Sequence, residues 1–123
     1  MVLVDTSIWI DHLHIAEPQL LGLLDGDLVL RHPLILGELA VGSIKSREKI
    51  LNFLGLLPGA IPASHDEVMG MIERHRLYGR GVGFVDCHLL ASARIGNALL
   101  WSRDRRLMAV AAEMQVAFPE TSH

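Results

Sequence analysis

The stretch that decides the fold is VLVDTSIWI, residues 2–10, in which three apolar residues are followed at once by an acid. Residues 2–4 predict a buried strand, and residues 7–13 predict a helix. Asp5 stands between them, just past the carboxyl end of the strand. Functional groups of open parallel sheets gather beyond these strand ends, so Asp5 is the first candidate for a functional residue.

The same alternation of short apolar runs and longer helical patterns continues along the chain. It predicts further strands at 28–30, 60–61, 98–101 and 116–118, and helices at 17–24, 33–41, 46–54, 64–78, 84–95 and 104–114. Ser64 and Glu67 form a capping box at the start of one of these helices. Short, wholly apolar strands separated by helices are typical of a parallel sheet with right-handed crossovers. The pattern therefore predicts an α/β domain with a short, mostly parallel sheet of about five strands.

Length and composition limit the class of protein. The 123 residues predict a single domain spanning 1–123, and no apolar run approaches the roughly 20 residues that cross a bilayer. The N-terminus has no basic region of the secretory type. The single cysteine, Cys87, excludes an internal disulfide and suits a reducing cytoplasm, where we expect the protein. The net charge of −3 argues against a generally basic nucleic-acid binder.

Four acids lie in or beside apolar segments, namely Asp5, Glu38, Asp86 and Asp104. Carboxylates are rarely placed in such segments without a partner, because burying an unpaired charge is unfavourable. A divalent cation is the partner that explains all four. Asp5 and Asp104 each follow a predicted strand, so they face each other at one sheet edge if those strands are neighbours.

Three of these acids also have a local explanation. Asp5 and Asp104 stand where a helix N-cap is expected, and Asp86 stands in a first turn, where the helix dipole favours a negative charge. Glu38 has no such explanation, because it lies in mid-helix with apolar residues three and four positions away on both sides. We therefore predict that Glu38 points toward an apolar face and that the four acids share a site.

The residues around Asp104 suggest further roles. Ser102 supplies a hydroxyl to orient a carboxylate or to contact a phosphate. Arg103, Arg105 and Arg106 flank the acid and form either a solvated helix face or a basic rim around an acidic site.

These residues resemble those of the PIN-domain ribonucleases, and most closely the VapC-type toxins of bacterial toxin–antitoxin pairs. The resemblance runs over essentially the whole chain. It is carried by VLVDTSIWI at 2–10, LGEL at 36–39, GVGFVDCHLLA at 81–91 and LWSRDRRL at 100–107. Each motif is weak alone, and their order and spacing make the signal specific.

The resemblance implies a three-layer α/β/α PIN-like fold and assigns roles residue by residue. Asp5, Glu38, Asp86 and Asp104 match the family's acidic quartet, which holds Mg²⁺ or Mn²⁺. Thr6 or Ser7 matches the hydroxyl after the first acid, and Ser102 matches the hydroxyl two positions before the last. One departure is that many relatives carry a further acid shortly after the fourth, where this chain has Arg105 and Arg106.

The function implied by the resemblance is that of a metal-dependent endoribonuclease, the toxin of a type II toxin–antitoxin pair. Metal-activated water would hydrolyse phosphodiesters of an RNA of the tRNA or rRNA class, with Arg103 and Arg105 as candidate contacts to the substrate. Expected partners are a cognate VapB-type antitoxin and a second copy of the chain, in a homodimer and a toxin–antitoxin hetero-oligomer, with no membrane partner.

Two alternatives stay open. The first is a PIN-like module that binds RNA or protein without cleavage. The second is a receiver-type signalling domain, which needs paired acids after the first strand and a lysine after the last. Here Asp5 stands alone and no lysine follows residues 116–118.

Overall fold

In residues 1–121, which this computed structural model describes, three parallel strands form one sheet: β1 (Val2–Val4), β2 (Val29–Leu30) and β3 (Leu99–Trp101). The strand order is β2-β1-β3, and Val2 is paired with both Val29 and Leu99. The strands that precede Asp5 and Asp104 are therefore neighbours. Asp5 follows the central strand, at the middle of the sheet's carboxyl edge.

The helices alternate with the strands much as the pattern predicted. Their bounds are α1 (Thr6–His14), α2 (Pro18–Asp25), α3 (Pro33–Val41), α4 (Arg47–Gly55), α5 (His65–His75), α6 (Phe84–Ile95) and α7 (Arg105–Glu113). The capping box of α5 is present, but the helix ends before the predicted residue 78. Arg76 adopts a left-handed conformation with φ 52°, and the Leu77 N–H bonds back to the Ile72 carbonyl at 3.0 Å.

The prediction of about five strands is too high by two for the described residues. The segments predicted as the other two strands make only isolated parallel bridges, Arg31 with Gly59 and Leu100 with Ala117. Prolines adjoin both segments, at positions 58, 62 and 119. Proline has no N–H to donate to a ladder, which explains why neither bridge extends into a strand.

Helices cover both faces of the sheet. Val2, Leu3 and Val4 are all buried, and successive strand residues point to opposite faces, so each face has a covering layer. This is the α/β/α arrangement that was expected, and Cys87 lies in the core. No helix among the described residues is long and apolar enough to cross a membrane. The single domain over 1–123 stays a prediction, and residues 122–123 lie outside the described part of the chain.

Candidate active site

Asp5 is the buried acid of the site, with only 9% of its surface exposed. Its Oδ2 accepts hydrogen bonds from the hydroxyls of Ser102 at 2.7 Å and Ser7 at 3.1 Å. Asp5 occupies the N-cap position of α1, yet its side chain caps no backbone N–H there. The capping explanation therefore fails for Asp5.

Helix capping does account for part of the role of Asp104 and Asp86. Asp104 Oδ1 accepts from the N–H groups of Arg106 at 2.9 Å and Leu107 at 3.2 Å, at the start of α7. Asp86 Oδ2 accepts from the Gly83 N–H at 3.0 Å, at the start of α6. Each cap uses one carboxylate oxygen and holds the acid at the sheet's carboxyl edge.

Glu38 does not point toward an apolar face, so that prediction was wrong. The buried residues of α3 are Ile35 and Leu39, whereas Glu38 is exposed. The helix is apolar around most of its circumference, which made the face impossible to assign from spacing. Glu38 instead turns toward α1, where the Thr6 hydroxyl donates to its Oε1 at 2.7 Å.

The charges of three of the acids act on the fourth, Asp86. Burial raises the pKa of the Asp86 carboxyl; the Gly83 hydrogen bond lowers it, and the negative charges of Asp5, Asp104 and Glu38 raise it further. The net shift is upward. Acids that are up to 99 positions apart along the chain therefore share one electrostatic environment.

The donor set fits a hard divalent cation, because it consists of carboxylate oxygens. One oxygen of each acid accepts the hydrogen bonds given above, and the other accepts none from residues 1–121. No three metal-ligating side chains in this part of the chain already converge on one point.

A hydroxyl network ties the two acid-bearing strand ends together. Ser102 Oγ accepts from the Asp104 N–H at 3.0 Å, and Ser7 Oγ accepts from the Arg103 N–H at 3.0 Å. Ser7 and Ser102 are themselves 3.3 Å apart. The predicted hydroxyls, those of Thr6, Ser7 and Ser102, thus form hydrogen bonds with the acids or with the loop that carries Asp104. Their part in a reaction stays a prediction.

Arg103 lies in an ionic cluster that the sequence did not reveal. Its guanidinium pairs with Asp11 at 2.9 Å, with Glu17 at 2.8 Å and with Glu120, and it lies over the Trp101 ring at 5.8 Å. The partners Asp11 and Glu17 are 92 and 86 positions away, so no local pattern signals them. These contacts fit a structural role better than the predicted contact with substrate.

Arg105 is exposed at the start of α7, and no hydrogen bond or ion pair of its side chain occurs among the described residues. Its predicted contact with substrate stays a prediction.

Comparisons with known proteins agree with this geometry. The model of the PIN domain family matches residues 2–113. Two relatives, each called Ribonuclease VapC32, come from the CDC 1551 / Oshkosh and H37Rv strains of Mycobacterium tuberculosis. Each is 50% identical to this chain over 121 residues, which cover 98% of both proteins. The chain belongs to the PIN-domain family and, within it, to the VapC type. This membership removes the receiver-type alternative.

Proposed function

We propose that this chain is an endoribonuclease that depends on Mg²⁺ or Mn²⁺ and acts as the toxin of a toxin–antitoxin pair. The observation that carries the proposal is a set of four carboxylates, each with one oxygen held by hydrogen bonds and one that accepts none from residues 1–121. The charges of three of them contribute to the raised pKa of the fourth, Asp86. The ribonuclease name of relatives that are 50% identical over nearly the whole chain supports the same activity.

Asp5, Glu38, Asp86 and Asp104 would hold the metal through the oxygens that accept no hydrogen bond. A bound divalent cation would activate a water molecule and stabilise the charge that develops on the phosphate. Ser102 and Ser7 hold the Asp5 carboxylate in one orientation by donating to its Oδ2. Thr6 does the same for Glu38. No side chain forms a covalent bond with RNA, and the products carry 5′-phosphate and 3′-hydroxyl ends.

The substrate proposed is structured RNA of the tRNA or rRNA class, read mainly through its shape and its single-stranded loops. The partner proposed is a VapB-type antitoxin, in a hetero-oligomer built on a homodimer of this chain. The acidic balance of the chain limits general attraction to RNA, so binding depends on local cations such as Arg105.

The test is cleavage of bulk tRNA and of total ribosomal RNA by the purified chain. We expect cleavage with Mg²⁺ or Mn²⁺, none with EDTA, and none by Asp5→Asn, because that change removes the buried anionic ligand. Asp25→Asn is the matched control: Asp25 is exposed at the end of α2, so this variant should cleave like the wild type. Circular dichroism and a thermal melt establish that each variant is folded.

Cleavage by Asp5→Asn, or cleavage that persists in EDTA, would contradict the proposed mechanism. RNA binding without cleavage by the wild type under all metal conditions would support the non-cleaving module instead.

A further inference from the structure

Arg106, the second residue of α7, carries a cation that pairs with none of the four acids. Its backbone N–H donates to Asp104 Oδ1 at 2.9 Å, and its side chain is exposed. Among residues 1–121 its guanidinium forms no ion pair. Two other arginines differ: Arg80 makes a bidentate pair with Glu113, at 2.5 and 2.9 Å, and Arg103 has its three carboxylates.

The Arg106 side chain lies against the backbone of Gly81. A Cβ at Gly81 would lie 2.5 Å from Nη1 and 2.7 Å from Cδ of Arg106, so a larger residue there would displace the guanidinium. Gly81 belongs to the segment 79–83, and the N–H of Gly83 in the same segment holds Asp86. Arg106 therefore bridges the segments that position Asp86 and Asp104.

A guanidinium placed in this way suits a phosphate. Its planar fork donates two parallel hydrogen bonds to phosphate oxygens, and contact with a backbone limits the rotamer freedom that binding would otherwise remove. We propose that Arg106 binds an RNA phosphate next to the one that is cleaved, and that the absence of a Cβ at Gly81 leaves room for this arginine. This inference rests on the proposed function, since it assigns a substrate contact to the same site.

Gly79 and Gly81 provide a matched pair of variants. Both have left-handed backbone conformations, with φ of +71° and +80°, so alanine introduces comparable strain at either position. A Cβ at Gly79 meets nothing within 4 Å, whereas one at Gly81 meets Arg106. A difference in RNA affinity between the two alanine variants therefore reports the effect of displacing the Arg106 guanidinium.

The experiment measures binding of fluorescein-labelled tRNA by anisotropy, in an Asp5→Asn background that should not cleave it. Adding Arg106→Gln should raise Kd about tenfold and flatten the slope of log Kd against log salt by about 0.7 to 0.9, the contribution of one phosphate. Lys49→Gln is the control for charge, because Lys49 is exposed on α4, a helix that carries none of the four acids. Both its Kd and its slope should stay near those of the background.

The glycine variants follow in the same background. We expect Gly81→Ala to weaken binding like Arg106→Gln, Gly79→Ala to bind like the background, and the Gly81→Ala/Arg106→Gln pair to be no weaker than Arg106→Gln alone. In a chain with Asp5 intact, Arg106→Gln should keep the Mg²⁺-dependent rise in Tm, because Arg106 is not a metal ligand.

The outcomes separate the two proposals. If the Asp5→Asn chain binds tRNA and Arg106→Gln has the same Kd and salt slope as Lys49→Gln, the role of Arg106 is overturned and the proposed function stands. If the chain neither binds nor cleaves tRNA or ribosomal RNA, the proposed function fails, and the role of Arg106 fails with it. Equal losses in Gly79→Ala and Gly81→Ala would contradict the role given to Gly81.

Discussion

Ser102 links the buried acid Asp5 to the exposed acid Asp104. Its hydroxyl donates to Asp5 Oδ2 at 2.7 Å and accepts from the Asp104 N–H at 3.0 Å, and only 3% of its surface is exposed. A hydroxyl is required for this, because it donates and accepts through one atom. Ser102 therefore orients Asp5 and fixes the backbone at Asp104 together.

Replacing Ser102 with alanine should slow RNA cleavage about ten- to hundredfold, the usual effect of removing a group that orients a metal ligand. Ser102→Thr retains the hydroxyl and should recover much of the rate. Ser43→Ala removes an exposed hydroxyl and serves as the control. The measurement is the initial rate at saturating Mg²⁺; a Ser102→Ala rate equal to that of Ser43→Ala would contradict the role.

At the scale of elements, His32 joins the two helices that carry Glu38 and Asp86. Its Nδ1 accepts from the Leu34 N–H at 3.1 Å and so caps α3, and its Nε2 lies 3.0 Å from Ser92 Oγ on α6. Because Nδ1 is an acceptor, the proton of the neutral ring is on Nε2 and is donated to Ser92. Burial lowers the pKa of His32 below its ordinary 6.5, and the charge of His88 lowers it further.

This lowered pKa predicts a loss of stability in mild acid. Between the folded and unfolded pKa values of His32, the unfolded chain binds more protons than the folded one. The contribution of His32 to the free energy of unfolding is therefore complete above pH 6.5 and is lost as the pH drops through the folded pKa. His32→Asn keeps a capping side chain without a titrating ring. Between pH 7.5 and about 5.5 this variant should lose less free energy of unfolding than the wild type does.

Urea denaturation at each pH measures the effect. The control His14→Asn removes an exposed histidine at the end of α1 and should keep the wild-type pH dependence. If His32→Asn and the wild type lose the same free energy of unfolding on acidification, the buried neutral ring of His32 is not the cause of the loss of stability in mild acid.

At the scale of the whole molecule, the charges of the candidate site lower the stability of the fold. Four carboxylates lie near one edge of a sheet that is otherwise largely apolar, and the pKa of Asp86 is raised, first by its burial and further by the charges of the other three acids. A group whose folded pKa is raised binds protons more readily in the native state. Its stabilising protonation is present at low pH and is lost as the pH rises through the folded value.

Asp86→Asn should therefore be more stable than the wild type at neutral pH in EDTA, by a few degrees in Tm. Asparagine retains an acceptor for the Gly83 N–H, so the cap survives. The difference should shrink in acid, and saturating Mg²⁺ should raise the Tm of the wild type more than that of the variant. Asp25→Asn is the control and should have the Tm of the wild type. A Tm of Asp86→Asn below that of the wild type, in EDTA at neutral pH, would contradict the claim that the charge of Asp86 destabilises the fold.

The sequence by itself determined the element order and predicted the four acids of the candidate site. Apolar runs and helical spacing located β1, α3 and α6, because local patterning largely sets which segments form strands and helices. The position of Asp5 directly after a strand placed it at the sheet's carboxyl edge. The ordered motifs indicated the PIN-domain family before any contact was known.

The tertiary structure decided what each acid does. Spacing made Glu38 the inward-facing acid and allowed Asp5 to be a helix cap; in the fold Glu38 is exposed and Asp5 is buried between two serine hydroxyls. The ionic cluster of Arg103 and the contact between Arg106 and Gly81 join residues far apart in the chain. Such contacts depend on how elements pack in three dimensions, and the period of a pattern along one segment carries no information about its distant neighbours.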